Sequence, residues 1–173
     1  MTLARLFSIA LAGFLSAAFP AGAEEPTEFK LVILGTGTPN ADPDRSGPGL
    51  AIIVDGKPYL VDAGPGIVRR AAAAERNGEN ALAPEKLDTA FLTHLHSDHT
   101  LGLPDLIYTP WVLERAAPLR LFGPPGTRKM AAHLQKAFAE DIDLRLNGSQ
   151  PSTPEGWKTD VAEIKSGGRI FEE

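Results

Sequence analysis

A dense cluster of metal-binding side chains follows an apolar segment in the middle of the chain. The apolar segment, residues 87–93, predicts a strand that runs directly into the cluster. Three histidines and one aspartate then lie within six residues: His94, His96, Asp98 and His99. His94 and His96 are two residues apart, so a chain leaving a strand can turn both imidazoles toward one point. Asp98 and His99 come after the bend and can face a second point.

These donors indicate a site for divalent metal ions. Neutral imidazole and carboxylate suit zinc, and also manganese or iron. Two metals roughly 3.5–4 Å apart can clamp the attacking and leaving oxygens of a hydrolysis, and either can lower the pKa of a bound water toward about 7. The alternative is a hydrated polar loop. This alternative is disfavoured because three of the 4 histidines in the chain lie in this one cluster. The remaining one, His133, lies in a predicted helix without a ligand neighbour and is not expected to bind metal.

Composition narrows the class of protein. A chain of 173 residues that is 43% hydrophobic has room for one domain with one core. With 17 Lys and Arg against 22 Asp and Glu, the net charge of -5 argues against a protein that neutralises nucleic-acid phosphates. The absence of cysteine excludes disulfides, thiolate zinc sites and a cysteine nucleophile. Any metal must therefore be held by histidine and carboxylate.

The first 23 residues predict a signal peptide. Arg5 places a positive charge before the apolar stretch of residues 6–19. Ala21-Gly22-Ala23 then has the small-residue pattern of a signal-peptidase cleavage site. Cleavage there would place residues 24–173 in the periplasm or outside the cell, with no membrane association, since no second apolar run of comparable length follows. An uncleaved membrane anchor is the alternative.

Hydrophobic periodicity predicts a layered α/β arrangement. The Asp55-Gly56 pair predicts a tight hairpin turn between the second and third strands. Pro110 predicts a kink. From residue 147 the pattern fades into Gly, Ser and Pro, and another strand is expected to begin at residues 170–173. Strands are expected at 29–34, 50–54, 59–61, 87–93 and 119–122, and helices at 67–76, 103–115 and 127–142.

The H-x-H-x-D-H spacing of the cluster resembles the first metal motif of the metallo-β-lactamase fold. Three neighbouring segments are similar to the ribonuclease Z and arylsulfatase-like branch of that family: Leu34–Pro39 with Arg45 and Ser46, Leu60–Gly66, and His99–Pro104. The resemblance covers about residues 30–142. It implies that residues 24–173 form the N-terminal portion of such a domain, the first half of an αββα sandwich whose second half is missing.

The resemblance also implies a role for each site residue. His94 and His96 would bind the first metal, and Asp98 and His99 the second, with zinc the expected ion at both. Asp98 would also be the catalytic residue that handles the proton of the attacking water. Asp62 would orient the histidine loop from behind the metal ligands. The alternative for Asp62 is an ordinary turn aspartate at a strand end.

The function implied is an exported hydrolase of a phosphodiester, sulfate-ester or similar ester bond. A small-molecule ester is the expected substrate, and nucleic acid is not expected as a partner because of the export signal and the lack of a basic patch. The second half of the family's fold normally supplies a third histidine, a bridging aspartate and a final histidine, whereas this sequence offers only His133 after His99. The alternative is therefore a truncated, non-catalytic chain with an incomplete metal site. A sheet from one half alone is expected to expose apolar surface and to self-associate.

Overall fold

The computed structural model describes residues 28–150, 152–165 and 167, so the predicted signal peptide at 1–23 and the strand expected at 170–173 lie outside the described residues. The strands are β1 (Phe29–Gly35), β2 (Gly49–Val54), β3 (Lys57–Val61), β4 (Thr89–Phe91), β5 (Leu119–Gly123) and β6 (Thr159–Glu163). The helices are α1 (Ile67–Arg76), α2 (Ser97–Thr100), α3 (Leu103–Val112), α4 (Thr127–Ala137) and α5 (Ala139–Asn147), with short 3₁₀ helices at Asn80–Leu82 and Pro84–Lys86. Within the described ranges, no helix has the length and apolar character needed to cross a bilayer.

The strands form one mixed sheet in the order β1-β2-β3-β4-β5-β6, which confirms the predicted α/β class. β1 to β3 are antiparallel, whereas β3 to β6 run parallel. Asp55 and Gly56 join β2 to β3 with φ values of 48° and 78°, as the predicted hairpin turn requires. Because β3, β4 and β5 are parallel, their carboxyl ends meet at one edge of the sheet. Asp62 and the histidine cluster both follow strands that end at this edge.

The core lies between one face of the sheet and the helices. Strand residues on this face are almost fully buried, as are apolar side chains of α1, α3 and α4. The alternation of buried and more exposed positions along β2 and β5 follows the two-residue repeat of a strand with one covered face. The main core residues from the sheet are Ala51, Ile53, Leu60, Ala90 and Leu121, and those from the helices are Ile67, Leu106, Ile107, Trp111 and Ala131.

Two predicted helix boundaries were wrong. The helix predicted at 103–115 ends at Val112, because Glu114 adopts a positive φ of 78° and the chain reverses there. Pro110 is accommodated inside that helix. The helix predicted at 127–142 breaks at Phe138, and a second helix continues to Asn147.

β6 was not predicted from the sequence. Its sequence, TDVAE, has a weak apolar alternation, so the strand is recognisable only from its parallel pairing with β5. The preceding segment is held in place by Trp111, whose Nε1 donates a hydrogen bond of 2.7 Å to the Thr153 carbonyl. At the end of β6, the Glu163 carboxylate accepts hydrogen bonds from the backbone N–H groups of Arg128 and Gly126, which lower its pKa. β6 therefore ties the start of α4 to the sheet.

The edge strand β1 exposes three large apolar side chains. Phe29, Leu31 and Ile33 are 64%, 57% and 63% exposed, on the face of β1 opposite its buried Leu34. We expect concentration-dependent self-association through this patch. Leu31→Lys should weaken it about 10- to 100-fold, because it removes about 1.5–3 kcal/mol of apolar burial. Sizing chromatography with light scattering over a wide concentration range measures this.

The matched control is Leu144→Lys, which charges an apolar side chain that is 66% exposed on α5. This variant should associate like the unmodified chain. A chain that stays monomeric at every concentration would contradict the expectation.

Candidate metal centre

The histidine cluster lies in a loop that is fastened at both ends to the segment following β3. The backbone N–H of Asp62 donates to the Phe91 carbonyl at the end of β4, and the N–H of Ala63 donates to the His99 carbonyl in α2. Gly64 permits the close approach, since a Cβ at this position would lie 2.7 Å from the Asp98 carbonyl oxygen. The loop between β4 and α2 is therefore anchored by backbone contacts that do not involve its histidine side chains.

The loop brings the three histidine rings together. The ring centroids of His94 and His99 are 4.0 Å apart, and those of His94 and His96 are 4.7 Å apart. Asp98 joins them, with its Oδ2 at 3.5 Å from Nε2 of His99. The four side chains that the sequence singles out thus form one cluster.

Asp62 lies behind this cluster. Its side chain is buried and its backbone has a positive φ of 63°, a strained conformation of the kind that concentrates at functional sites. One carboxylate oxygen accepts the backbone N–H of Thr93 at 2.8 Å, and the other lies 2.8 Å from Nδ1 of His99. Asp62 therefore holds the loop at two points. Its role beside a bound metal stays a prediction.

The cluster fits a metal in donor chemistry but does not form a complete coordination shell. Imidazole nitrogen and carboxylate oxygen are zinc ligands. Across residues 28–150, 152–165 and 167, however, no three His, Cys, Asp or Glu side chains are arranged so that they could hold one ion. His133 lies on α4 with its Nδ1 at 2.6 Å from the Lys129 carbonyl, within its own helix. The described residues thus supply only part of a ligand set.

A cavity of about 300 Å³ adjoins the cluster at Asp98, whereas the three histidines do not line it. Asp98 and Ser97 line one side, and Arg45 and Asn40 line it from the loop that follows β1. Asn40 and Ser97 were not predicted as site residues from the sequence, and Arg45 was identified there only as part of a family motif. A larger groove of about 440 Å³ lies against α4 and α5, but the histidine cluster does not line it. The smaller cavity is the one that could place a substrate beside the candidate ligands.

The sequence profile described as "Metallo-beta-lactamase superfamily" matches residues 45–172. This match includes most of the chain. The chain belongs to the metallo-beta-lactamase superfamily. The H-x-H-x-D-H resemblance is thereby confirmed at the level of the superfamily.

Curated relatives support the ribonuclease Z resemblance. The chain is 42% identical over 120 residues to ribonuclease Z of Mycobacterium marinum, an alignment covering 68% of this chain and 41% of that protein. It is 39% identical over 120 residues to ribonuclease Z of Mycobacterium avium, with the same shares covered. The chain thus spans about two fifths of the length of these relatives.

Solved structures share the fold. The short form of human tRNase Z superposes with a TM-score of 0.58 at 23% identity, covering 79% of this chain and 45% of that one. The metallo-beta-lactamase fold protein YhfI of Bacillus subtilis gives a TM-score of 0.54 at 16% identity, with the same coverage. The six-stranded sheet and its helices therefore correspond to part of the metallo-beta-lactamase fold.

Proposed function

We propose that this protein is an exported, metal-dependent hydrolase that cleaves a phosphodiester, sulfate-ester or similar ester bond. The observation that carries the proposal is the cluster of three imidazoles and the Asp98 carboxylate beside a cavity of about 300 Å³. Its superfamily and its similarity to ribonuclease Z favour a phosphodiester over the other bonds.

Zinc is the proposed ion, with manganese or iron as alternatives. His94 and His96 would contribute ligands to one ion, and Asp98 and His99 to a second. A bound ion supplies Lewis acidity and lowers the pKa of a bound water. Asp98 would accept the proton of the attacking water, and Asp62 would keep the ring of His99 oriented. Arg45, in the cavity wall, would donate hydrogen bonds to an anionic ester group.

A small ester suits the chain better than a nucleic acid. The cavity beside Asp98 is at the small end of the range of about 300–1,000 Å³ for ligand pockets. The net charge of -5 disfavours binding to a long phosphate backbone. Export to the periplasm or beyond, proposed from residues 1–23, points the same way. The ribonuclease Z relatives point instead to RNA, so both substrate classes belong in the test.

The test is turnover by the purified, zinc-loaded chain on three substrates: bis(p-nitrophenyl) phosphate, p-nitrophenyl sulfate and a precursor tRNA. We expect hydrolysis of the phosphodiester, and Asp98→Asn should lower its rate by about 10²- to 10⁴-fold because a proton acceptor is lost. His133→Gln is the matched control and should retain the rate. Absence of turnover on every substrate would contradict the proposal, and cleavage of the tRNA alone would move the substrate class to RNA.

The second candidate is a non-catalytic chain with an incomplete metal site. The observation that favours it is the lack of a three-donor group among the described residues. Metal analysis after dialysis separates the two readings. Two tightly held ions per chain favour the hydrolase, whereas fewer than one favours the non-catalytic chain.

A further inference from the structure

The hydroxyl of Thr93 lies between the Asp62 carboxylate and the His94 ring. Its Oγ1 is 2.9 Å from both oxygens of Asp62 and 2.9 Å from Nδ1 of His94. The Asp62 carboxylate also contacts the cluster directly, because one of its oxygens lies 2.8 Å from Nδ1 of His99. One buried carboxylate therefore reaches two histidines, one of them through Thr93.

The positions of the protons follow from the number of donors. An ionised carboxylate can only accept hydrogen bonds, so the single hydroxyl proton of Thr93 must point to Asp62. The hydroxyl then has only lone pairs left for His94. A contact of 2.9 Å between two acceptors would be repulsive, so Nδ1 of His94 must carry the proton and donate it to Thr93. By the same reasoning, Nδ1 of His99 donates to Asp62.

We propose that Thr93 is a positioning residue that fixes the tautomer of His94, acting as a relay from Asp62. His94 then keeps its lone pair on Nε2. Metal-binding histidines commonly have the second ring nitrogen held in this way, and its partner fixes which nitrogen is free. The expected effect on zinc rests on the proposed function, but the tautomer is a property of the metal-free chain.

The test is long-range ¹H–¹⁵N NMR of the imidazoles in the metal-free chain at about pH 8, above the usual pKa of histidine. His94→Gln assigns the signals. Unmodified chain and Thr93→Ser, which retains the hydroxyl, should show His94 protonated on Nδ1. Thr93→Val, which has nearly the same shape without the hydroxyl, should shift His94 toward protonation on Nε2. Thr109→Val removes another threonine–carboxylate hydrogen bond, to Asp105 on α3, and should leave the spectrum of His94 unchanged.

Zinc affinity gives a second readout by competition with a chelator. Thr93→Val should weaken binding about 10- to 100-fold, with Thr93→Ser restoring most of the loss. The proposal is overturned if His94 carries its proton on Nε2 in the unmodified chain, a result that does not depend on the folding of Thr93→Val. It is also overturned if Thr93→Val folds and leaves the tautomer unchanged. The expected tautomers in a chain that neither binds zinc nor hydrolyses esters would support the relay and contradict the proposed function.

Discussion

Replacing Arg115 by methionine is expected to lower the free energy of unfolding by about 3 kcal/mol or more, because each buried carbonyl left without a donor costs about 1–3 kcal/mol. Arg115 is only 2% exposed, and its guanidinium donates four hydrogen bonds to backbone carbonyls. Burial lowers its pKa to about 10, so it stays charged at neutral pH. Methionine has a similar length and preserves packing, so the loss of stability should come from the carbonyls that no longer have a hydrogen-bond donor.

The four carbonyls belong to three segments that are separated from one another in the sequence. They belong to Leu87 before β4, Leu106 and Ile107 in α3, and Gly156 before β6. The Leu106 carbonyl shows most clearly why a side-chain donor is needed. Its partner within the helix would be the backbone N–H of residue 110, but Pro110 has no N–H. Arg115 therefore satisfies the carbonyl that the helical proline leaves free.

Urea denaturation followed by circular dichroism measures the effect. Arg69→Met is the matched control, since the Arg69 side chain is 72% exposed and pairs with Asp105 at the surface. Surface pairs of this kind contribute about 0–1 kcal/mol. Hydrogen exchange should also show early loss of protection in β6. If Arg115→Met and the control were equally stable, the four hydrogen bonds would make no net contribution.

Asp62→Ala is expected to lower the free energy of unfolding by about 1–3 kcal/mol and to weaken zinc binding about 10- to 100-fold. The substitution removes the acceptor for the Thr93 N–H, the Thr93 hydroxyl and the His99 ring at once. The histidine loop should then lose its orientation even where the backbone contacts of Ala63 and Gly64 persist.

Asp88→Ala is the control for this change. Asp88 accepts a hydrogen bond from the Thr89 hydroxyl at the other end of β4, away from the histidine loop. This control should reduce stability without changing zinc affinity, which separates loss of folding from loss of ligand orientation. Unchanged zinc affinity in Asp62→Ala would show that Asp62 has no orienting role.

Local pattern was enough to predict most of the elements. Apolar runs predicted β1, β2, β3 and β5 within a few residues, because each strand presents alternate side chains to one buried face. The Asp55-Gly56 turn was predictable because few dipeptides adopt a positive φ at both positions. The cluster from His94 to His99 was predictable because its members are adjacent in sequence. Thr93 was missed, although its place directly before His94 was the available signal.

Sequence alone therefore determined the superfamily, the main strands and the residues that form the histidine cluster, since each depends on side chains close together along the chain. Only the tertiary structure decided that TDVAE forms β6, that Arg115 is buried and that one carboxylate reaches two histidines. These features depend on groups 28 to 41 residues apart, as in the hydrogen bonds of Arg115 to Leu87 and Gly156. A backbone carbonyl or a buried carboxylate carries no periodicity in the sequence, and its partner becomes defined only when packing brings the segments together.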